Sequence, residues 1–233
     1  MLPNDVSIRR YQQVMSAIAA AARRVGRDPA SVRLVGAAKM VSVARLRPIV
    51  AAGLAIIGEN YLQEAKAKIA ALDLPVSWHF IGHLQSNKAA AAVKLFDLIH
   101  SVDRLSLAQA LDRAAARLGK VQDILLEVNI GGESSKSGAA PAAVPDLLRA
   151  CAAFPNLRVR GLMAMPPWRP DPEEIRPYFQ QLRQIRDRLQ TLNLPRVDLL
   201  ELSMGMSDDF AVAIEEGATL VRIGTALFGP RTH

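Results

Sequence analysis

The segment RLVGAAKMVSVARLRPIVAAGLAIIGEN, residues 33–60, decides the fold of this chain. It opens with an aliphatic run over 33–39, in which Leu34, Val35, Ala37 and Ala38 suit a strand buried on both faces. An Ala/Leu/Arg stretch of helical period follows over 43–52, and a second aliphatic run, AIIGEN, closes the unit over 55–60. Strand, helix, strand in fewer than thirty residues is the pattern of a parallel βαβ unit. The first strand ends on an ammonium group, Lys39, at the end of a strand otherwise suited to burial.

The same rhythm continues through the chain. Further strands are predicted at 77–82, 98–102, 123–130, 157–165, 199–205 and 220–227, and further helices at 61–72, 86–94, 104–118, 142–153, 173–192 and 208–216. An extra helix over 6–25 precedes the first strand. Eight near-equal units predict a (β/α)8 TIM barrel with an added N-terminal helix; a doubly wound open sheet is the alternative, and closure fits the equal spacing better. Pro29, Pro155 and Pro195 mark approaches to strands, and Ser207 or Asp208 is the expected cap of the helix that follows GMSDDF. No Gly/Ser- or Pro-rich linker divides the 233 residues, so residues 1–233 are expected to form one domain.

Composition narrows the class. Half the residues are apolar, enough for a large core. The amino terminus lacks the apolar run of a secretion signal and no apolar run is long enough to cross a bilayer, which predicts a cytoplasmic protein without a membrane partner. Cys151 is the only cysteine and is expected in the core. The net charge of +7 is spread rather than massed and aromatics are only 5%, so a solvated basic surface is expected and no nucleic-acid partner. A positive field also suits a small anionic ligand.

In such a barrel the site forms at the C-terminal ends of the strands. Lys39, Glu59, Asn60, His83, Ser101, Asp103, Asn129, Met163, Met165, Ser203, Arg222 and Thr225 all fall there. A lysine in a partly dry pocket favours its neutral, nucleophilic form, the requirement for a Schiff base; a strand-end lysine reaching solvent is the plain alternative. LSMGMSDD and VRIGTALFG each set small residues and hydroxyls at a late strand-to-helix turn: Ser203, Gly205 and Ser207 in one, Gly224 and Thr225 in the other. Turns after strands seven and eight are common phosphate sites, so a phosphorylated ligand is implied.

Other motifs carry less. Asn60 is either a helix cap or a pocket residue. His79 and His83 are four apart, but a strand and a turn intervene and no third ligand is evident, so no metal site is expected. GGESSKSG (131–138) lacks the glycine that a P-loop needs before its lysine and reads as a loop after strand five that could line the pocket.

Taken in order, VGAAKM (35–40), GENYLQEAKAKI (58–69), WHFIGHLQSNK (78–88), VNIGGESSKSG (128–138), RGLMAMPPW (160–168) and LSMGMSDDFAVAIEEGATLVRIGTALFG (202–229) closely resemble the pyridoxal phosphate homeostasis protein family. The resemblance runs from about residue 6 to 231. It implies a barrel like the N-terminal domain of alanine racemase, fold type III among pyridoxal 5′-phosphate (PLP) proteins, with PLP held as a Schiff base on Lys39. It further implies that Ser203, Met204, Gly205, Ser207, Gly224 and Thr225 surround the phosphate, that Asn60 joins the cofactor site, and that Arg222 faces the pyridine nitrogen. A permanently charged donor there disfavours ring protonation and weakens PLP as an electron sink.

Two functions then stand side by side: a protein that buffers PLP and delivers it to apo PLP-dependent enzymes, and a racemase-like PLP enzyme of weak activity. The chain stops at His233, soon after the eighth strand, where racemases of this fold continue into a β domain that supplies a catalytic tyrosine, so a non-enzymatic carrier is expected. A phosphate-sugar barrel enzyme without PLP is a third class, one that leaves Arg222 unexplained. The family resemblance points to a monomer.

Overall fold

The computed structural model describes residues 3–133 and 136–229. Eight parallel strands, β1 (Arg33–Ala37), β2 (Ile56–Glu59), β3 (Ser77–Phe80), β4 (Leu98–Val102), β5 (Gln122–Val128), β6 (Leu157–Ala164), β7 (Val197–Ser203) and β8 (Leu220–Ile223), close in sequence order into a barrel. Helices α2 (Val43–Ala51), α3 (Leu62–Ala71), α4 (Ala89–Leu95), α5 (Leu105–Arg117), α6 (Val144–Ala152), α7 (Arg176–Gln190) and α8 (Phe210–Glu215) fill the connections. The extra helix, α1 (Pro3–Arg24), turns Val14, Ile18, Ala21 and Ala22 inward and packs against α2, α8 and α9 (Thr225–Phe228). No helix among the described residues is long and apolar enough to cross a membrane.

Strand alternation divides the interior into two populations. One set of positions, including Leu34, Ile57, Phe80, Ile99, Leu126, Leu162 and Val221, packs outward against the helices. The other set, Val35, Ile56, Ile81, Leu98, Leu125, Met163 and Leu220, fills the barrel itself. Cys151 sits in the outer layer at 1% exposure, and burial pushes its thiol up to about 12, as suits an inert core residue. The inward register also carries polar groups, His79, His100, Glu127, Ser203 and Arg222, all buried.

Closure is not uniform. The register slips within β4–β5, β5–β6 and β6–β7, and β7 meets β8 at one backbone pair, Ser203 with Leu220. At Gly161 the strands approach so closely that a Cβ would lie 1.9 Å from the Glu201 carbonyl oxygen. Only glycine fits there.

Three boundaries differ from the sequence expectation for local reasons. β1 stops at Ala37, and Lys39 lies in a turn closed by the Val41 N–H on the Ala38 carbonyl at 2.9 Å. β8 stops at Ile223, because Gly224 breaks the strand and releases Thr225–Phe228 as α9. Asp209, rather than Ser207 or Asp208, precedes α8; its carboxylate turns back to accept from the Met206 N–H at 2.5 Å.

Candidate functional site

At the C-terminal mouth lies a cavity of about 320 Å³ bounded by Ala37, Lys39, Asn60, Ile81, Met165, Met206, Ser207, Asp208, Arg222, Gly224 and Thr225. The structure thus brings together six of the nine residues expected there: Lys39, Asn60, Ser207, Arg222, Gly224 and Thr225. They come from the ends of β1, β2, β7 and β8, which closure makes neighbours.

Lys39 is half-buried, and among the described residues its ammonium has no hydrogen-bond or carboxylate partner. The Tyr61 ring lies close to it, with its centroid 5.0 Å from Nζ. The lysine is held in place by its turn rather than by a salt bridge.

The two late turns lean on each other: the Ala226 N–H donates to Ser207 Oγ at 3.3 Å. The backbone N–H groups of Ser207, Asp208, Gly224 and Thr225 find no acceptor among the described residues. Unpaired amides clustered at two strand ends form a concavity suited to an anion. Gly205, at φ +91°, reverses the chain between β7 and these amides, with a Cβ position only 2.6 Å from that of Ala213.

Ser203, Met204 and Gly205 are buried and lie beneath the cavity rather than on its wall. The Ser203 hydroxyl is engaged by groups below the cavity. Arg222 donates to Ser203 Oγ at 2.6 Å, and His100 Nδ1 lies 2.9 Å from the same oxygen. His100 Nε2 in turn lies 3.0 Å from His79 Nδ1, so the serine hydroxyl and the two rings form one buried polar chain beneath the cavity. Burial holds His79 down to about 4, and burial, with His79 and Arg222 as lesser causes, holds His100 well below the usual histidine range.

Arg222 also donates to the carbonyls of Ser203 at 2.7 Å and Ala164 at 2.9 Å, so it spans the ends of β6, β7 and β8 while facing the cavity. Burial lowers the pKa of its guanidinium, and the charges of Glu127 and Asp209 oppose that. Glu127 in turn is pushed up to about 7, first by burial and then by Asp103, with Arg222 pulling the other way.

His79 and His83 do not share a site: His79 belongs to the floor, while His83 meets Ser137 Oγ at 2.9 Å. Within GGESSKSG, Ser134 and Ser135 lie outside the described residues, and none of the rest lines the cavity. Sequence reasoning passed over Ile81, Met206 and Asp208 on the wall, the ring of Tyr61 beside Lys39, and the floor partner His100. The inward period of β4, with Leu98 and His100 two apart, was the available signal for the last of these.

Comparison with known proteins bears on this arrangement. Residues 12–232 match the family profile of the alanine racemase N-terminal domain. The pyridoxal phosphate homeostasis protein of Pseudomonas aeruginosa is 49% identical over 222 residues, covering 95% of this chain and 94% of that protein. Its counterpart in Aquifex aeolicus is 46% identical over 225 residues, 96% and 98% of the two chains. Among solved structures, PipY of Synechococcus elongatus with PLP bound superposes at a TM-score of 0.80, with 42% identity and coverage of 91% of this chain and 99% of that one. On near full-length identity of this order, the chain belongs to the pyridoxal phosphate homeostasis protein family.

Proposed function

We propose that this protein binds pyridoxal 5′-phosphate through Lys39 and serves intracellular PLP homeostasis by holding the cofactor and handing it on. The observation that carries the reading is one cavity in which a lysine and four backbone amides, all without partners among the described residues, meet a buried arginine. A phosphorylated aromatic aldehyde asks for those three features. Lys39 would hold the aldehyde group through its amine, the covalent chemistry that PLP would supply at this site. The N–H groups of Ser207, Asp208, Gly224 and Thr225 hold the phosphate, with Asn60 on the wall; Ser203, Met204 and Gly205 act from below by fixing Arg222 and the turn. The whole barrel, residues 1–233, acts as one unit in this role.

Holding rather than turnover is favoured by Arg222. Committed to three acceptors, it presents a fixed positive charge to the site, a poor environment for protonating a pyridine nitrogen and hence for stabilising a carbanion. Tyr61 presents its ring face to Lys39, which is not the geometry of a second base.

The test is the visible absorption of the protein with added PLP, before and after borohydride, beside Lys39→Ala. A yellow band that reduction fixes on Lys39, absent in the variant, is expected; a protein that stays colourless overturns the reading. Transfer to an apo PLP-dependent enzyme, run against free PLP with a trap in solution, then tests delivery. A rate no greater than spontaneous release removes directed hand-over.

A further inference from the structure

The turn that carries Lys39 is gripped from the side. Lys39 and Met40 are its central residues, and Met40 has φ +60°, a left-handed conformation that favours glycine. A methionine persists there only where its surroundings over-determine the backbone. What does so is a group of three charged side chains outside the cavity. Lys68, 6% exposed on α3, donates to the Ala38 carbonyl at 2.6 Å, to Glu59 Oε1 at 2.7 Å and to Glu64 Oε1 at 2.6 Å. All three of its N–H bonds are thereby used. Glu64 Oε1 also accepts the Met40 N–H at 2.6 Å. The peptide groups on both sides of Lys39 are therefore tied to one buried ammonium, directly through Ala38 and through Glu64 at Met40.

We infer that Lys68, Glu59 and Glu64 form a clamp that positions Lys39 for covalent capture of its aldehyde ligand, and that Lys68 is the positioning residue at its centre. This rests on the reading of Lys39 as the point of attachment. The clamp holds backbone and leaves Nζ free, which is what an amine needs if it must reach an aldehyde carbon while the phosphate and ring are held elsewhere. Glu59 ends β2 and is fully buried, so it anchors Lys68 to the barrel wall. The same helix start that bears Glu64 sets Tyr61 beside the Lys39 ammonium, so one element fixes both the root and the tip of the lysine. Clamp and phosphate cradle share no hydrogen bond. They are separable by mutation.

The test uses Lys68→Met and, as a gentler change that keeps size and an acceptor, Glu64→Gln, each in the full chain. Three quantities are measured: hydrogen exchange of the Met40 amide without ligand, the rate of PLP capture fixed by borohydride, and affinity for pyridoxine 5′-phosphate, which has the ring and phosphate but no aldehyde. With helical circular dichroism unchanged, Lys68→Met is expected to speed Met40 exchange at least tenfold and slow capture at least tenfold. Affinity for pyridoxine 5′-phosphate should stay within twofold, and Glu64→Gln should fall between the two proteins. Unchanged capture, or parallel loss of capture and of pyridoxine 5′-phosphate affinity in both variants, overturns the clamp as a positioning device. A wild-type protein that captures no PLP overturns the reading of Lys39 instead, and Met40 exchange alone then decides whether the clamp exists.

Discussion

Glu127 offers the most quantitative test of the barrel interior. Its carboxyl is 3% exposed on β5, faces Arg222, and is pushed from 4.5 to about 7, by burial first and Asp103 second. Between those values the folded protein holds a proton that the unfolded chain has released. Its contribution to stability is therefore fully present below pH 4.5 and is lost as pH rises towards 7, after which it changes no further. A displacement of that size corresponds to about 3 kcal/mol in all, most of which falls between pH 5 and 8.

Glu127→Gln keeps the shape and removes the titration, so its stability relative to wild type should rise by about 2–3 kcal/mol over the same interval. The assay is urea unfolding of both proteins at pH 5, 6, 7 and 8, read as the difference in free energy at each pH. The difference matters because Glu59, also pushed up to about 7, titrates in the same direction, while His79, held down to about 4, makes the folded protein more stable as pH rises to its ordinary range. Those contributions are common to the pair and cancel. A difference flat to within about 0.5 kcal/mol would show that Glu127 is already ionised against Arg222 at pH 5, and the account of the interior would fail.

Two further substitutions probe the seam and the turn above it. Arg222→Met removes the donors to Ser203 and Ala164 and leaves carbonyls at the ends of β6 and β7 unpaired in the interior; a loss of about 3–5 kcal/mol in urea unfolding is expected, and less than 1 kcal/mol would refute the bracing role. Gly205→Ala must hold a Cβ at φ +91° and 2.6 Å from the Ala213 Cβ, so roughly 2–3 kcal/mol of stability should disappear, together with phosphate affinity; an alanine variant as stable as wild type would refute the strain.

The βα rhythm was legible because each strand is an aliphatic run and each helix an Ala/Leu/Arg segment, and the closed barrel followed from their equal spacing. The site was legible where its residues sit at strand ends by local sequence: Lys39, Asn60, Ser207, Gly224 and Thr225 reach the cavity for that reason. Ser203 shows the limit. Its place two residues before Gly205 fixed that it lay near the site, but whether the hydroxyl met the cavity or the floor depended on Arg222 and His100, 19 and 103 residues away. Lys68 was hidden for a similar reason. Its spacing from Glu64 is the ordinary surface pair of a helix, and only the docking of α3 against the turn after β1 converts that pair into a buried contact.

Burying Arg222 needs its own explanation, since a guanidinium inside a barrel carries a large desolvation cost. The thin pairing of β7 with β8 supplies it: beyond the Ser203–Leu220 pair, the strand ends are joined by Arg222 itself, whose backbone N–H reaches the Gly205 carbonyl at 3.0 Å and whose side chain reaches Ser203 and Ala164. The residue that faces the cavity is thus also the brace that completes closure. Such a group cannot swing aside without opening the barrel, so the floor of the site is fixed while Lys39 and the Ser207–Asp208 turn belong to the rim. Entry and exit of a ligand therefore have to be accommodated at the rim, and the charge it meets beneath stays the same before and after.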